Sequence, residues 1–154
     1  MIFRKADSKD VGDLIKFRKE QLVEENLKEG RKDEKIIDNE LKKYFTKNIK
    51  NNTFISWVAI EDNEIIATSG LCFYQLPPTF SNPSGKVAYV TNMYTMKEYR
   101  RRGIATTLLE KIINEAKLLD YKILRLHTSL DGKSIYMKYG FIDSDGFMHL
   151  RMNN

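Results

Sequence analysis

The chain has little cysteine, histidine, proline or glycine, and no long apolar run. One cysteine, Cys72, rules out an intrachain disulfide and any Cys-based zinc cluster, and with only two histidines, His127 and His149, a structural metal site has too few ligands. That cysteine usage points to a reducing compartment. Nothing approaches the ~18 apolar residues of a membrane span, and Met1-Ile2-Phe3-Arg4-Lys5-Ala6-Asp7 meets charge at once instead of forming the apolar core of a signal peptide. A cytoplasmic protein with no membrane partner is expected, so the sequon Asn51-Asn52-Thr53 carries no glycan. Three prolines and eight glycines exclude collagenous and low-complexity classes, and no internal repeat is visible.

What is present is an ordinary globular composition, 42% hydrophobic and 31% charged, with eight tyrosines, eight phenylalanines and one tryptophan. At 154 residues the expectation is a single domain spanning 1–154. Lys and Arg total 26 against 21 Asp and Glu, a net charge of +5. Such a balance suits an anionic ligand, a phosphate-rich cofactor or nucleic acid, and does not choose among them.

Residues 2–6 read as a first strand, and Asp7-Ser8 caps a helix that carries Val11, Leu14, Ile15, Phe17, Leu22 and Val23 to an end near Asn26. Ile36, Ile37, Leu41, Tyr44, Phe45 and Ile49 recur at helical spacing and mark a second helix. The runs 54–60 and 65–76, separated by Glu61-Asp62-Asn63-Glu64, predict an antiparallel hairpin. All three prolines fall in 77–85, a loop; 87–96 is the next strand, and 104–119 is the strongest amphipathic helix of the chain. With a strand at 121–127 this makes a right-handed βαβ unit and one parallel strand pair. A short helix at 133–139, a turn at Gly140, and strands near 141–143 and 147–151 complete the prediction.

The chemistry concentrates in Met93-Tyr94-Thr95-Met96-Lys97-Glu98-Tyr99-Arg100-Arg101-Arg102-Gly103-Ile104-Ala105-Thr106, where a strand runs through a basic turn into a helix. Unpaired amides and the helix dipole favour an anion there, Gly103 and Ala105 allow close approach, and the arginines add charged donors. The competing reading is a solvated arginine run before a common helix start. A Rossmann fingerprint fails because Ala105 stands where a glycine is needed. Gly132-Lys133-Ser134 fails as a P-loop because His127 occupies the position of its first glycine.

Arg100-x-x-Gly103-x-Ala105 after a strand resembles the Arg/Gln-x-x-Gly-x-Gly/Ala signature of the GCN5-related N-acetyltransferase (GNAT) superfamily, and Ile135-Tyr136-Met137-Lys138-Tyr139-Gly140-Phe141 resembles its later Leu-Tyr-x-x-x-Gly-Phe motif. The element order is similar over nearly the whole chain. The resemblance implies an α/β (α+β) fold: a mixed, mostly antiparallel sheet with a central parallel pair, flanked by helices. It implies acetyl-CoA as cosubstrate, with backbone contacts from Met93, Tyr94 and Thr95, further contacts at Arg100, and the pyrophosphate on Arg101, Arg102, Gly103, Ile104, Ala105 and Thr106.

The same resemblance makes Tyr136 the acid that protonates the CoA thiolate. A tyrosine, with a free pKa of about 10, holds its proton at neutral pH. The alternative is a core aromatic beside Phe141. Where many relatives carry a pantetheine-holding Asn, this chain has Ser129, which retains one hydrogen-bonding hydroxyl. Where some place a base Glu, it has Leu124, so the base is unassigned among His127, Glu24, Glu25 and water.

The acceptor, an amine-bearing small molecule or peptide, is framed by the resemblance between about 21–33 and 74–85. Glu20, Glu24, Glu25, Glu29, Asp33 and Glu34 are interspersed there with Lys19, Lys28, Arg31 and Lys32, and only one of Phe73 and Tyr74 is able to join Phe80 in an apolar slot. An inactive acyl-CoA-binding domain is the alternative to an enzyme. Nucleic acid is disfavoured because the arginines are confined to one turn instead of forming a stripe interleaved with aromatics. A homodimer through C-terminal strands is open by analogy, with no pattern in Phe147 to Met152 deciding it.

Overall fold

The computed structural model describes residues 1–25, 33–144, 146, 148 and 150–152. Strand β1 (Ile2–Lys5) leads into a 3-10 turn at Ser8–Asp10 and helix α1 (Val11–Glu25); α2 (Glu34–Lys50) follows. Strands β2 (Phe54–Ile55), β3 (Trp57–Glu61), β4 (Glu64–Gln75) and β5 (Lys86–Thr95) then precede α3 (Ile104–Leu118), β6 (Leu124–Leu126) and α4 (Lys133–Lys138). The six strands form one sheet of order β1-β3-β4-β5-β6, with β2 paired to β4. Every pairing is antiparallel except β5 with β6. The expected mixed sheet with its parallel pair is therefore present.

Local chemistry explains the element boundaries. Asp7 and Asp10 form a capping box, Asp7 Oδ1 accepting from Lys9 N–H at 2.7 Å and Asp10 Oδ2 from Asp7 N–H at 2.8 Å. The β3–β4 hairpin turns on Asp62 and Asn63, both left-handed at φ 49° and 66°, the type I′ geometry that matches strand twist. The expected strand at 54–60 is split at Ser56, whose carbonyl accepts from Ala6 N–H at 2.9 Å while its hydroxyl turns to Ser69 O.

Apolar residues on both sheet faces build the core. Helices α1 and α2 pack Val11, Leu14 and Phe45 against Phe54 and Val58. On the opposite face, Ile104, Leu108, Ile112 and Ala116 of α3, all nearly inaccessible, cover Ala59, Ile66, Leu71, Ala88 and Val90. These are the positions the helical periodicity of 104–119 singles out.

The chain departs from expectation at its C-terminus. Residues 141–143 form no strand: Gly140 takes φ 86°, Phe141 packs on Tyr136, and Ile142 is 86% exposed with no apolar surface to cover. In the expected 147–151 strand, positions 147 and 149 lie outside the described residues, and Met148, Leu150 and Arg151 are in no strand.

Candidate active site

The parallel pairing of β5 and β6 ends early. It joins Ala88, Tyr89 and Val90 to Leu124, Arg125 and Leu126, whereas β5 runs on to Thr95. A bulge on β5 lies within that extension: the register with β4 shifts between Thr68 and Gly70, and Asn92 sits at φ 54° with its carbonyl taken by Thr68 Oγ1 at 2.9 Å. Past the bulge, Met96 N–H donates to Ile66 O at 3.0 Å. Strand alternation therefore turns the backbone groups of Thr95 and Met93 away from β4, toward the space β6 has left.

That space is a cleft of about 750 Å³. Met93, Tyr94 and Thr95 form one wall; His127, Thr128 and Ser129, at the exit of β6, form the other. The start of α3 closes one end, and Gln21, Glu24, Glu25 and Tyr136 stand at the cleft from α1 and α4. Sequence reasoning did not single out Thr128 or Asp131 in this lining, which lie between the motifs, and it gave no role to Tyr99, which lies within the 93–106 stretch.

The turn into α3 is shaped for an anion. Arg101 and Gly103 are both left-handed, at φ 61° and 77°, and no side chain caps the helix or places an acid in its first turn. The first amide taken by a backbone carbonyl is that of Thr107, which donates to Gly103 O at 3.0 Å. Among the described residues, the amides from Arg101 to Thr106 have no backbone acceptor, and a Cβ built on Gly103 would meet nothing within 4 Å. The open side of the turn thus carries unpaired donors and the positive end of the dipole.

The three arginines separate. Arg100 grips both oxygens of Glu24 at 2.9 and 2.8 Å, donates Nε to Thr95 O at 2.9 Å, and lies over the Tyr94 ring. Arg102, expected at the cofactor, lies outside the cleft lining and pairs with Glu61 at 3.2 and 3.0 Å because that carboxylate comes within reach across the fold. Arg101 lines the cleft and, among the described residues, has no carboxylate partner.

Tyr136 lies in the cleft with its ring edge-on to Phe141. Burial, and secondarily the charge of Glu25, pushes its hydroxyl up to about 12. Tyr94 is raised too, mainly by burial; its hydroxyl donates to Glu24 at 3.3 Å and its ring stacks on Phe17. Glu24 is consequently committed, whereas Glu25 accepts only from Gln21 Nε2 at 2.9 Å among the described residues. Ser129 Oγ accepts from Gly132 N–H at 3.3 Å. Of the residues expected near an acceptor slot, Phe73 packs tilted against Tyr121 with ring centroids 4.7 Å apart, Phe80 projects fully into solvent, and neither they nor Tyr74 line the cleft.

Residues 19–141 match the family model described as acetyltransferase (GNAT) family. The chain belongs to the GNAT acetyltransferase family. A predicted acetyltransferase from Clostridium acetobutylicum, solved with acetyl-CoA, superposes with TM-score 0.89 at 41% identity, covering 97% of this chain and 95% of that one. A GCN5-related N-acetyltransferase from Ralstonia eutropha gives 0.86 at 20% identity over 97% of each chain, a likeness of fold. An N-alpha-acetyltransferase from Saccharolobus solfataricus is 28% identical over 116 residues, 64% of this chain and 68% of the relative. The β5 edge, the uncapped start of α3 and Tyr136 thus belong to a GNAT acetyltransferase domain, and among the described residues no helix is long and apolar enough to cross a membrane.

Proposed function

We propose that the protein transfers an acetyl group from acetyl-CoA directly to a primary amine, with Tyr136 as the acid that protonates the departing CoA sulfur. The observation that carries this reading is the convergence of three parts on one cleft: the unpaired β5 edge, the amide-lined turn at α3, and a tyrosine held protonated. The amides of residues 101–106 and the Arg101 guanidinium receive the phosphates, where Gly103 leaves room for oxygen atoms. Backbone N–H of the Met93 to Thr95 edge polarises the thioester carbonyl as its oxygen gains charge. As the C–N bond forms and the C–S bond breaks, Tyr136 gives its proton to sulfur. The amine's proton leaves through Glu25, His127 or water, and Tyr136 regains one from solvent.

Calorimetric titration with acetyl-CoA, CoA and ATP tests the cleft: the first two are expected to bind saturably and ATP not. Tyr136→Phe is expected to lower kcat by roughly 10²–10⁴ in CoA release with an amine panel while leaving acetyl-CoA affinity in place. Unchanged turnover would remove the acid assignment, and binding with no transfer to any amine would indicate a non-catalytic acyl-CoA-binding domain.

A further inference from the structure

Glu24 ties the end of α1 to the end of β5. Both its carboxylate oxygens accept from Arg100 Nη2, at 2.9 and 2.8 Å, and Oε1 also accepts from the Tyr94 hydroxyl at 3.3 Å. The same guanidinium donates Nε to Thr95 O at 2.9 Å, so it bridges α1 to a backbone group that β5 turns toward the cleft. Lys97 Nζ adds a longer contact to Glu24 at 3.9 Å. Arg100 is also the residue immediately before the open amides of 101–106.

Helix α1 is thereby held to β5 at two levels. Phe17 is buried and stacks on the Tyr94 ring at 5.5 Å. Glu24 stands seven residues on, on the same helix face, and reaches the hydroxyl of that ring and Arg100. The first level is apolar core. The second is polar, and it secures the turn that brings Gln21 and Glu25 to the cleft, where Gln21 Nε2 donates to Glu25 at 2.9 Å. Folding stability is a poor account of the Glu24–Arg100 pair, because its side chains are 32% and 41% exposed and a pair so solvated contributes little. What it does fix is geometry. Arg100 holds Thr95 O and Glu24 at once only while the last turn of α1 lies where it does, and the planar guanidinium makes that requirement directional.

We infer that Glu24 is a positioning residue: through Arg100 it sets the last turn of α1, with Gln21 and Glu25, against the β5 edge, so that acetyl-CoA binding at that edge and at 101–106 fixes the wall facing the amine. The inference rests on the acetyl-transfer reading above. It gives Glu24 no proton to carry, since its oxygens are engaged by Arg100 and Tyr94. The coupling is reciprocal: a ligand that steadies the turn after Arg100 steadies the end of α1, and loosening α1 is felt at the turn.

Residue-resolved hydrogen exchange with CoA as the probe tests the tie. In the unaltered protein CoA is expected to slow the amides of 101–106 and also, by about tenfold, those of 22–25. Glu24→Gln keeps an oxygen for Tyr94 and removes the charge that holds Arg100. In that variant the slowing at 101–106 should persist, and that at 22–25 should shrink to about twofold or less. Glu24→Asp, charged but one methylene shorter, should fall between the two. With a panel of primary amines, Glu24→Gln should lower kcat/KM for the best acceptor by about tenfold or more while its melting profile and acetyl-CoA affinity stay in place. Equal slowing at 22–25 in the unaltered protein and in Glu24→Gln, or no slowing there in the unaltered protein, overturns the inference. Calorimetry with CoA on the same samples separates the two levels. Saturable binding with no response at 22–25 overturns the positioning role alone; failure of the unaltered protein to bind CoA overturns the reading beneath it as well.

Discussion

Arg100, Arg101 and Arg102 are consecutive in sequence and part company in space. A left-handed Arg101 between two arginines engaged with Glu24 and Glu61 sends the three guanidiniums to different surfaces. Arg101→Gln is therefore expected to weaken acetyl-CoA binding about tenfold, the worth of one charge-assisted contact. Arg102→Gln should leave affinity unchanged, since its pair with Glu61 is partly solvated and worth no more than about 1 kcal/mol. Calorimetry on the two variants checks the contrast. Asp10 presents the opposite case, a buried carboxylate with its partners in place: Arg4 holds both oxygens at 2.7 and 2.9 Å. Those hydrogen bonds, with the Asp7 amide, hold its carboxyl below the usual range. A depressed folded pKa contributes stability that is complete above the unfolded value of about 4 and is lost as pH falls through the folded one. Asp10→Asn should cost about 2 kcal/mol at pH 7 in urea unfolding and flatten the acid limb below pH of about 4.

At the scale of elements, the bulge that reorients β5 depends on a close approach. A Cβ on Gly70 would stand 2.7 Å from the Phe54 ring and 3.1 Å from Asn92 Cβ. Phe54 is buried against Phe45, so its ring has nowhere to go. Gly70→Ala is expected to destabilise by about 1–3 kcal/mol in thermal or urea unfolding, and to lower acetyl-CoA affinity as the bulge shifts. Such a constraint is invisible in sequence, because Gly70, Asn92 and Phe54 are brought together only by strand pairing. What sequence does show is what depends on neighbours along the chain: the hairpin that reverses within 61–64, the amphipathic α3, and the strand-turn-helix of 93–106. Pattern resemblance added Tyr136, whose cleft position no periodicity reports. The roles of Arg100 and Arg102 were not legible, since their carboxylates lie 76 and 41 residues away. Nor was the lack of a strand at 141–143, because alternation of side chains says nothing about whether an edge is there to pair with.

At the scale of the whole molecule, the two faces of the sheet divide the labour. Helix α3 covers one face with its apolar row and opens the cleft at its first turn, whereas α1 on the other face brings Gln21, Glu24 and Glu25 to the same cleft. Residues of α3 and α1 thus reach one cleft from opposite sides of the sheet, with β5 between them. The early end of the β5–β6 ladder also means that the sheet has an edge in its interior as well as at its rim. Edge amides exchange hydrogen readily unless something occupies their side. The amides of Met93 and Thr95 are accordingly expected to exchange fast in the free protein and to slow markedly when CoA is added, while those paired to β4 change little. Residue-resolved hydrogen exchange would read this directly: the ligand would stand in for the missing length of a strand, and the continuity of the sheet would become a property of the complex.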